Sequence, residues 1–300
     1  MSKINLRGLI NNYKLYIGVI IFVSFLSKLF NLNYNSPSSD EAVYVAIGNS
    51  ILFQWNWAIY NTASWVGGHT YFYPIITSMA HYYNGIVGSR LLNILFISFA
   101  TYITYRLTSK LIARMFGGLF KKRSNFASLT AAIIVGFSAT SFYVSRLATY
   151  DMPSFTLLIL GIYYLVLSCD NKFDDQGKAI NFFVSALFLS LSFAFKYISI
   201  IYMPLVVIAS YLYVNRHFKK SLMHFWRFYF LLPLSLAIFV LSITQVQYLN
   251  TFIGAQVSRE HYSLINILSE FFKNTYYLIP FLAIGNYGLI IKKHWRLITV

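Results

Sequence analysis

The chain has 300 residues, 58% of them hydrophobic and only 11% charged, a balance that excludes an ordinary soluble globular domain. Its net charge of +16 comes from 24 Lys and Arg against 8 Asp and Glu, and the way those charges are distributed excludes nucleic acid as a partner. The one cysteine, Cys169, excludes an internal disulfide framework, and the sequence has no zinc-ligand spacing and no glycine motif for ATP or a dinucleotide.

A bilayer core of roughly 30 Å takes about 20 apolar residues per helical span. Stretches of that kind recur, whereas the alternating polarity of a membrane barrel is absent. The expected fold is therefore all-α: a polytopic transmembrane helical bundle of about eight spans in one domain, without a separate soluble domain. The spans fall near 15–32, 86–105, 126–144, 152–168, 179–195, 198–214, 228–246 and 276–291. The first lacks a small-residue cleavage site and is read as a retained span.

The loop after it, 33–85, contains no Lys or Arg. It is rich in aromatic residues, as expected of chain lying in the headgroup layer. Two juxtamembrane helices are expected there, near 39–53 and 72–84, with a turn at Gly67-Gly68. Further on, residues 179–214 form 36 nearly continuous apolar positions, about 54 Å as one helix and too long for one crossing. A split at Lys196-Tyr197 gives two short spans. A second long loop, 247–275, precedes the last span. No internal repeat or low-complexity linker is present.

With that split, 18 of the 24 basic residues fall on one face, which is then cytoplasmic together with both termini. The other six are Lys28, Arg90, Arg146, Lys196, Arg259 and Lys273, all at or near the outer face of a multi-pass cell-membrane protein. Asp40, Glu41, Asp151, Glu260 and Glu270 join them there, while Asp170, Asp174 and Asp175 share one cytoplasmic turn.

In "SPSSDEAVYVAIG", Ser38 as N-cap and Glu41 three residues on make a capping box, with Asp40 in the first turn. One acid completes the box, so Asp40 is spare, held on a rigid helix end at the membrane surface where it suits a base. In "YVSRLATYDMPSF", Asp151 reads as an N-cap ahead of Pro153. Arg146 lies five residues earlier, and either the two form an ion pair or both face a cavity shared with Asp40. Lys196 is the only charge in its apolar stretch, so it either snorkels to the headgroups or faces a site. Arg90, in "VGSRLLNIL", poses the same choice. Tyr150 beside Asp151, with His69 and Tyr73 in the aromatic loop, completes the set of candidate substrate-binding residues. Two carboxylates and several cations near lipid depth suit a reaction whose leaving group is a phosphate held at the membrane: cations neutralise the phosphate, and a carboxylate takes the proton of an incoming hydroxyl or amine.

This pattern resembles the glycosyltransferase-C superfamily, in the branch of the protein O-mannosyltransferases and the aminoarabinose lipid A transferases. "SSDEAVYVAIG" is similar to that family's acidic motif in the first outer loop, and "HTYFYPIITSMAHYYNGIVGSRLLN" to the stretch leading to an Arg before span two. "SRLATYDMPSF" resembles its second Asp, and "FAFKYISI" its lysine between later spans. The resemblance covers roughly 15–215. It implies inverting transfer of a sugar from a polyprenyl-phosphate donor to an acceptor (protein, lipid or polysaccharide) at the outer face. Asp40 would be the base, with Asp151 and Glu41 as further catalytic residues, and Arg90, Arg146 and Lys196 would bind the phosphate. No cofactor is required; a divalent metal is an option on Asp40, Glu41 and Asp151. Tyr73 stands where aminoarabinose transferases carry a basic residue. The alternative is a transporter or flippase of lipid-linked sugars, whose translocation path the same charges would line.

Overall fold

The computed structural model describes residues 13–56, 67–69, 71–116, 121–170, 172–215 and 220–244, with Val246, Asn250 and Ser269 as single positions. The chain divides into two compact units, Met1–Phe252 and Ile253–Val300, and all the described residues but Ser269 belong to the first. The expected span 276–291 lies outside the described residues.

Helices and turns account for the described residues, with no strand among them. In chain order the helices are α1 (Tyr13–Leu29), α2 (Ser39–Gln54), α3 (Phe72–Phe116), α4 (Lys121–Phe137), α5 (Ala139–Ser145), α6 (Asp151–Ser168) and α7 (Asp175–Phe195). A 3-10 segment (Tyr197–Tyr202) leads into α8 (Met203–Asn215), and α9 (Lys220–Phe225) runs through a π-helical turn (Trp226–Leu231) into α10 (Leu232–Thr244). Among the described residues five helices are long and apolar enough to cross a membrane, or six if the bent pair α4–α5 counts as one span. Large apolar side chains such as Phe22, Leu205, Leu236 and Phe239 stay about 60% exposed. Water disfavours such a surface and lipid does not, which agrees with a membrane protein. Eight spans are expected over the whole chain, the last of them outside the described residues, and five or six are seen among the described ones. Helix α1, at 17 residues, is slightly shorter than a full crossing.

Three breaks shape the bundle. The helix expected near 72–84 and the following span are two helices, as the sequence predicts: the range of α3 is interrupted at Asn84-Gly85, where the backbone is not helical. Gly85 has φ +56° and ψ −153°, a conformation that a Cβ would forbid, and Ser89 Oγ donates across the break to Thr77 O at 2.9 Å. The second break bends α4 against α5 by 48° at Ser138, whose hydroxyl caps α5 by accepting from Ser141 N. The bend frees a carbonyl at Gly136, and Lys28 fills the gap. Its buried Nζ donates to Gly136 O and to Ser24 Oγ (2.6 Å).

The third break is the expected one at Lys196, which has extended backbone (φ −147°, ψ 112°). The aromatic loop makes it. His69 N donates to Ala194 O and Tyr197 N donates to Gly67 O, both at 2.7 Å, so the loop takes up backbone groups that a continuing helix would have paired internally. Gly68 is obligatory there, since a Cβ would lie 2.0 Å from Phe195 O.

Helices α6 and α7 are antiparallel and pack along their length. Hydroxyls stitch them together: Ser154 and Ser192 each donate to the other's carbonyl (3.0 and 2.9 Å), and Ser185 Oγ donates to Gly161 O (2.7 Å). Small polar residues of this kind let helices approach closely in lipid. Phe182, Leu189, Phe193, Trp226 and Phe230 form the core on the far side of α7.

Candidate functional site

Helix α2 begins as its sequence predicts. Ser38 Oγ accepts from Glu41 N, and Glu41 Oε2 accepts from Ser38 N at 2.8 Å. Glu41 then does more than close the box. Arg90 Nε and a terminal nitrogen each reach it at 2.8 Å, one per carboxylate oxygen, and Ala148 N donates to Oε1 at 2.7 Å. The remaining terminal nitrogen of Arg90 donates to Leu32 O at 2.6 Å. Neither side chain has any exposed surface. Burial alone would raise the Glu41 pKa, but the bonds from Arg90, Ala148 and Ser38 and the charge of Arg90 outweigh it and hold the carboxyl below its ordinary range.

Both residues are expected from the sequence to take part in the chemistry. Arg90 is wholly enclosed and spent on Glu41 and Leu32, so it offers a phosphate nothing in this arrangement. Glu41 has both carboxylate oxygens occupied, by four donors in all. The pair ties the loop after α1, the start of α2, the span in α3 and the turn before α6 at one point.

Asp40 is the neighbour left over. Its side chain is exposed, with no ion pair among the described residues. Behind it Tyr44, 1% exposed, packs against Tyr150 (5.2 Å between ring centroids) and Tyr73 (5.3 Å). Burial first, then Tyr150 and the nearby charges of Asp40 and Asp151, push the Tyr44 phenol well above its ordinary pKa. Tyr44 is thus a neutral hydroxyl within electrostatic reach of two acids that are 111 positions apart in sequence. The sequence reading missed it, because a Tyr inside an aromatic-rich loop carries no distinguishing signal.

Asp151 is the first residue of α6 and Lys196 the C-cap of α7. The N-cap is Tyr150, which makes no side-chain cap bond, so Asp151 is not the cap that its place before Pro153 predicts. Because α6 and α7 are antiparallel and stitched at Ser154 and Ser192, one turn inward from each end, Asp151 and Lys196 meet as an ion pair. Each also sits where its helix dipole favours it, the acid at an N-terminus and the cation at a C-terminus. The pair is about 30% exposed, in contrast to the sealed Glu41–Arg90. The ammonium lies 5.3 Å from the centre of the Tyr150 ring.

Arg146 is not the partner of Asp151. Its guanidinium donates to Phe30 O (2.8 Å) and Asn31 O (3.1 Å) and stacks 4.8 Å from the Tyr34 ring, closing the end of α1. His69 is packed against Phe72 and Tyr71, and its Nδ1 accepts from Tyr71 N. Burial drops its pKa to about 4, so it is neutral near pH 7. Tyr73, 1% exposed, directs its hydroxyl to Asn93 Oδ1 at 3.5 Å. Asn93 in turn donates to Leu147 O and Thr149 O, both at 2.6 Å, fixing the turn that presents Tyr150 and Asp151. His69, Tyr73 and Arg146 therefore frame the site from within.

A cavity of about 330 Å³ opens beside the ion pair, lined by Asp151, Lys196, Thr140, Ser141 and Ser199 and by apolar side chains including Phe155 and Leu158. Of the nine candidate residues, Asp151 and Lys196 line it and the other seven do not. Among the described residues no three His, Cys, Asp or Glu side chains gather as a metal site would require. Comparison with protein-family models, curated proteins and solved structures finds no match to this chain.

Proposed function

We propose that the chain is an integral membrane glycosyltransferase that moves a sugar from a polyprenyl-phosphate donor to an acceptor at the outer face of the membrane. The observation that carries this reading is the Asp151–Lys196 pair in an apolar-walled cavity, with Asp40 and Asp151 both close enough to raise the pKa of one buried phenol, Tyr44. An amphiphilic phosphate ester fits such a site, its chain among Phe155, Leu158 and Met152 and its charge at Lys196. The basic residues concentrated at the opposite face agree with an outward-facing site.

In the proposed reaction Lys196 exchanges Asp151 for the donor phosphate, and Asp40 accepts the proton of the acceptor hydroxyl or amine. The acceptor atom bonds to the anomeric carbon from the side opposite the phosphate. The bond from that carbon to the phosphate oxygen breaks, its electron pair leaving with the phosphate that Lys196 neutralises. The sugar is inverted, and the proton rests on Asp40. Asp151, released from Lys196, orients the acceptor. Glu41 and Arg90 take no part beyond holding α2 so that Asp40 faces the site.

The test is to incubate purified protein with a panel of polyprenyl-phosphate sugars and measure released polyprenyl phosphate. Asp40→Asn is expected to lose at least about 100-fold in turnover, the usual scale for a positioned base, while still binding the donor. Full turnover in that variant would overturn the assignment. A transporter reading draws some support from the bends at Ser138 and Lys196, since broken helices line transport paths. Movement of lipid-linked sugar across vesicles without release of lipid phosphate would favour it.

A further inference from the structure

The segment after Lys196 has a periodicity of its own. It is 3-10 helix from Tyr197 to Tyr202, in which side chains three apart eclipse one another and each residue rises about 2 Å. Ser199 and Tyr202 accordingly stack in one column, with the extended Lys196 just ahead of the segment, and all three line the cavity beside Asp151. Ser199 is 4% exposed, and its Oγ has no hydrogen-bond partner, although its backbone N donates to Lys196 O at 3.0 Å. A buried hydroxyl facing a cavity without a partner is costly unless something binds there. Lys196 is the only cation among the residues that line the cavity. Arg90 is sealed on Glu41, Arg146 is held by Phe30 and Asn31, and Lys28 by Gly136 and Ser24.

We propose that Ser199 is a binding residue for a single lipid-linked phosphate group, donating its hydroxyl to a phosphate oxygen while Lys196 pairs with the charge, and that this one-cation site selects a lipid monophosphate over a diphosphate. The proposal rests on the transferase reading for the identity of the donor, but not for the phosphate chemistry itself. A cavity of about 330 Å³ is at the small end of ligand pockets, which run from roughly 300 to 1,000 Å³. It holds a phosphate and the first part of a chain, with the chain continuing past Ile198 and Tyr202, two of the lining residues.

The experiment measures binding of a short polyprenyl monophosphate, the matching diphosphate, the neutral polyprenol and inorganic phosphate to the full chain in lipid nanodiscs. Wild type is expected to bind the monophosphate at least about tenfold more tightly than the diphosphate or the alcohol. Inorganic phosphate should bind weakly, marking the lipid as the ligand; equal binding of the free ion would instead assign the pocket to soluble phosphate and remove the lipid from the proposal. Ser199→Ala should weaken monophosphate binding roughly tenfold or more, the loss of one hydrogen bond to a charged group. It should leave thermal stability unchanged, because Oγ has no partner inside the protein, and Ser199→Thr should restore binding. Unchanged affinity in Ser199→Ala, or a wild type that binds the diphosphate as well, overturns the inference. Ser199-dependent monophosphate binding without turnover on any sugar donor defeats the transferase reading and leaves this one standing. Turnover that needs Lys196 but ignores Ser199 does the reverse.

Discussion

Replacing Glu41 by Met tests how the site is held. The carboxylate accepts four hydrogen bonds, from Arg90 twice and from Ser38 and Ala148 once each, and both partners of the ion pair are fully buried. Removing it strands the Arg90 charge, at a cost of about 3–5 kcal/mol. It also orphans the buried Ala148 N–H, for roughly 1–3 kcal/mol more. The loss of about 4–8 kcal/mol is a large share of the 5–15 kcal/mol typical of a folded domain. Arg90→Met alone leaves the Glu41 charge with two backbone donors and should cost about 3–5 kcal/mol. The double variant carries no buried charge, so its loss should be several kcal/mol smaller than the sum of the two. Equilibrium unfolding in mixed detergent micelles measures all three. Additive losses, or a Glu41→Met loss below about 1 kcal/mol, would refute the claim that the two side chains stabilise one another. The pH dependence follows in sign: the Glu41 pKa is lowered on folding, so the stabilisation is complete above the ordinary 4.5 and is lost only as pH falls through the depressed value.

His69, whose burial drops its pKa from 6.5 to about 4, has the other consequence. The unfolded chain takes up a proton first, so stability should decline as pH falls from 6.5 towards 4, and in His69→Gln that slope of thermal midpoint against pH should flatten. Gly68→Ala sets a Cβ against Phe195 O and should lower the unfolding free energy by about 2–4 kcal/mol; an unchanged midpoint would mean that the loop does not dock as described. Lys28→Met should cost about 1–3 kcal/mol by removing the charged hydrogen bonds from Nζ to Gly136 O and Ser24 Oγ, with Gly136 O left to Ser24 Oγ alone, read from the same unfolding curves.

The sequence reading succeeded wherever one local rule sufficed. The capping box over Ser38 and Glu41, the juxtamembrane helix after it and the interruption at Lys196 each follow from a few adjacent residues and the width of a bilayer. It failed where the partner of a charge is chosen by packing. Arg146 lies only five positions from Asp151, yet the close pairing of α6 with α7 gives Asp151 to Lys196, and the end of α1 claims Arg146. Which of Asp40 and Glu41 is enclosed was equally illegible, since it depends on where Arg90 and Ala148 come to rest. The serines were the overlooked signal. Ser154 and Ser192, each a turn from the ion pair, mark two helices close enough to exchange hydroxyl bonds, and Ser199 marks the register of the segment beyond.

The two backbone bonds that fasten Gly67 and His69 to the end of α7 make the aromatic loop and Lys196 parts of one mechanical device. Swinging the loop outward would strip Ala194 and Tyr197 of their partners and invite the 3-10 turn to wind back into regular helix. Lys196 would then rotate away from Asp151. Lys196 is thus held in place from a distant part of the chain, by backbone bonds alone.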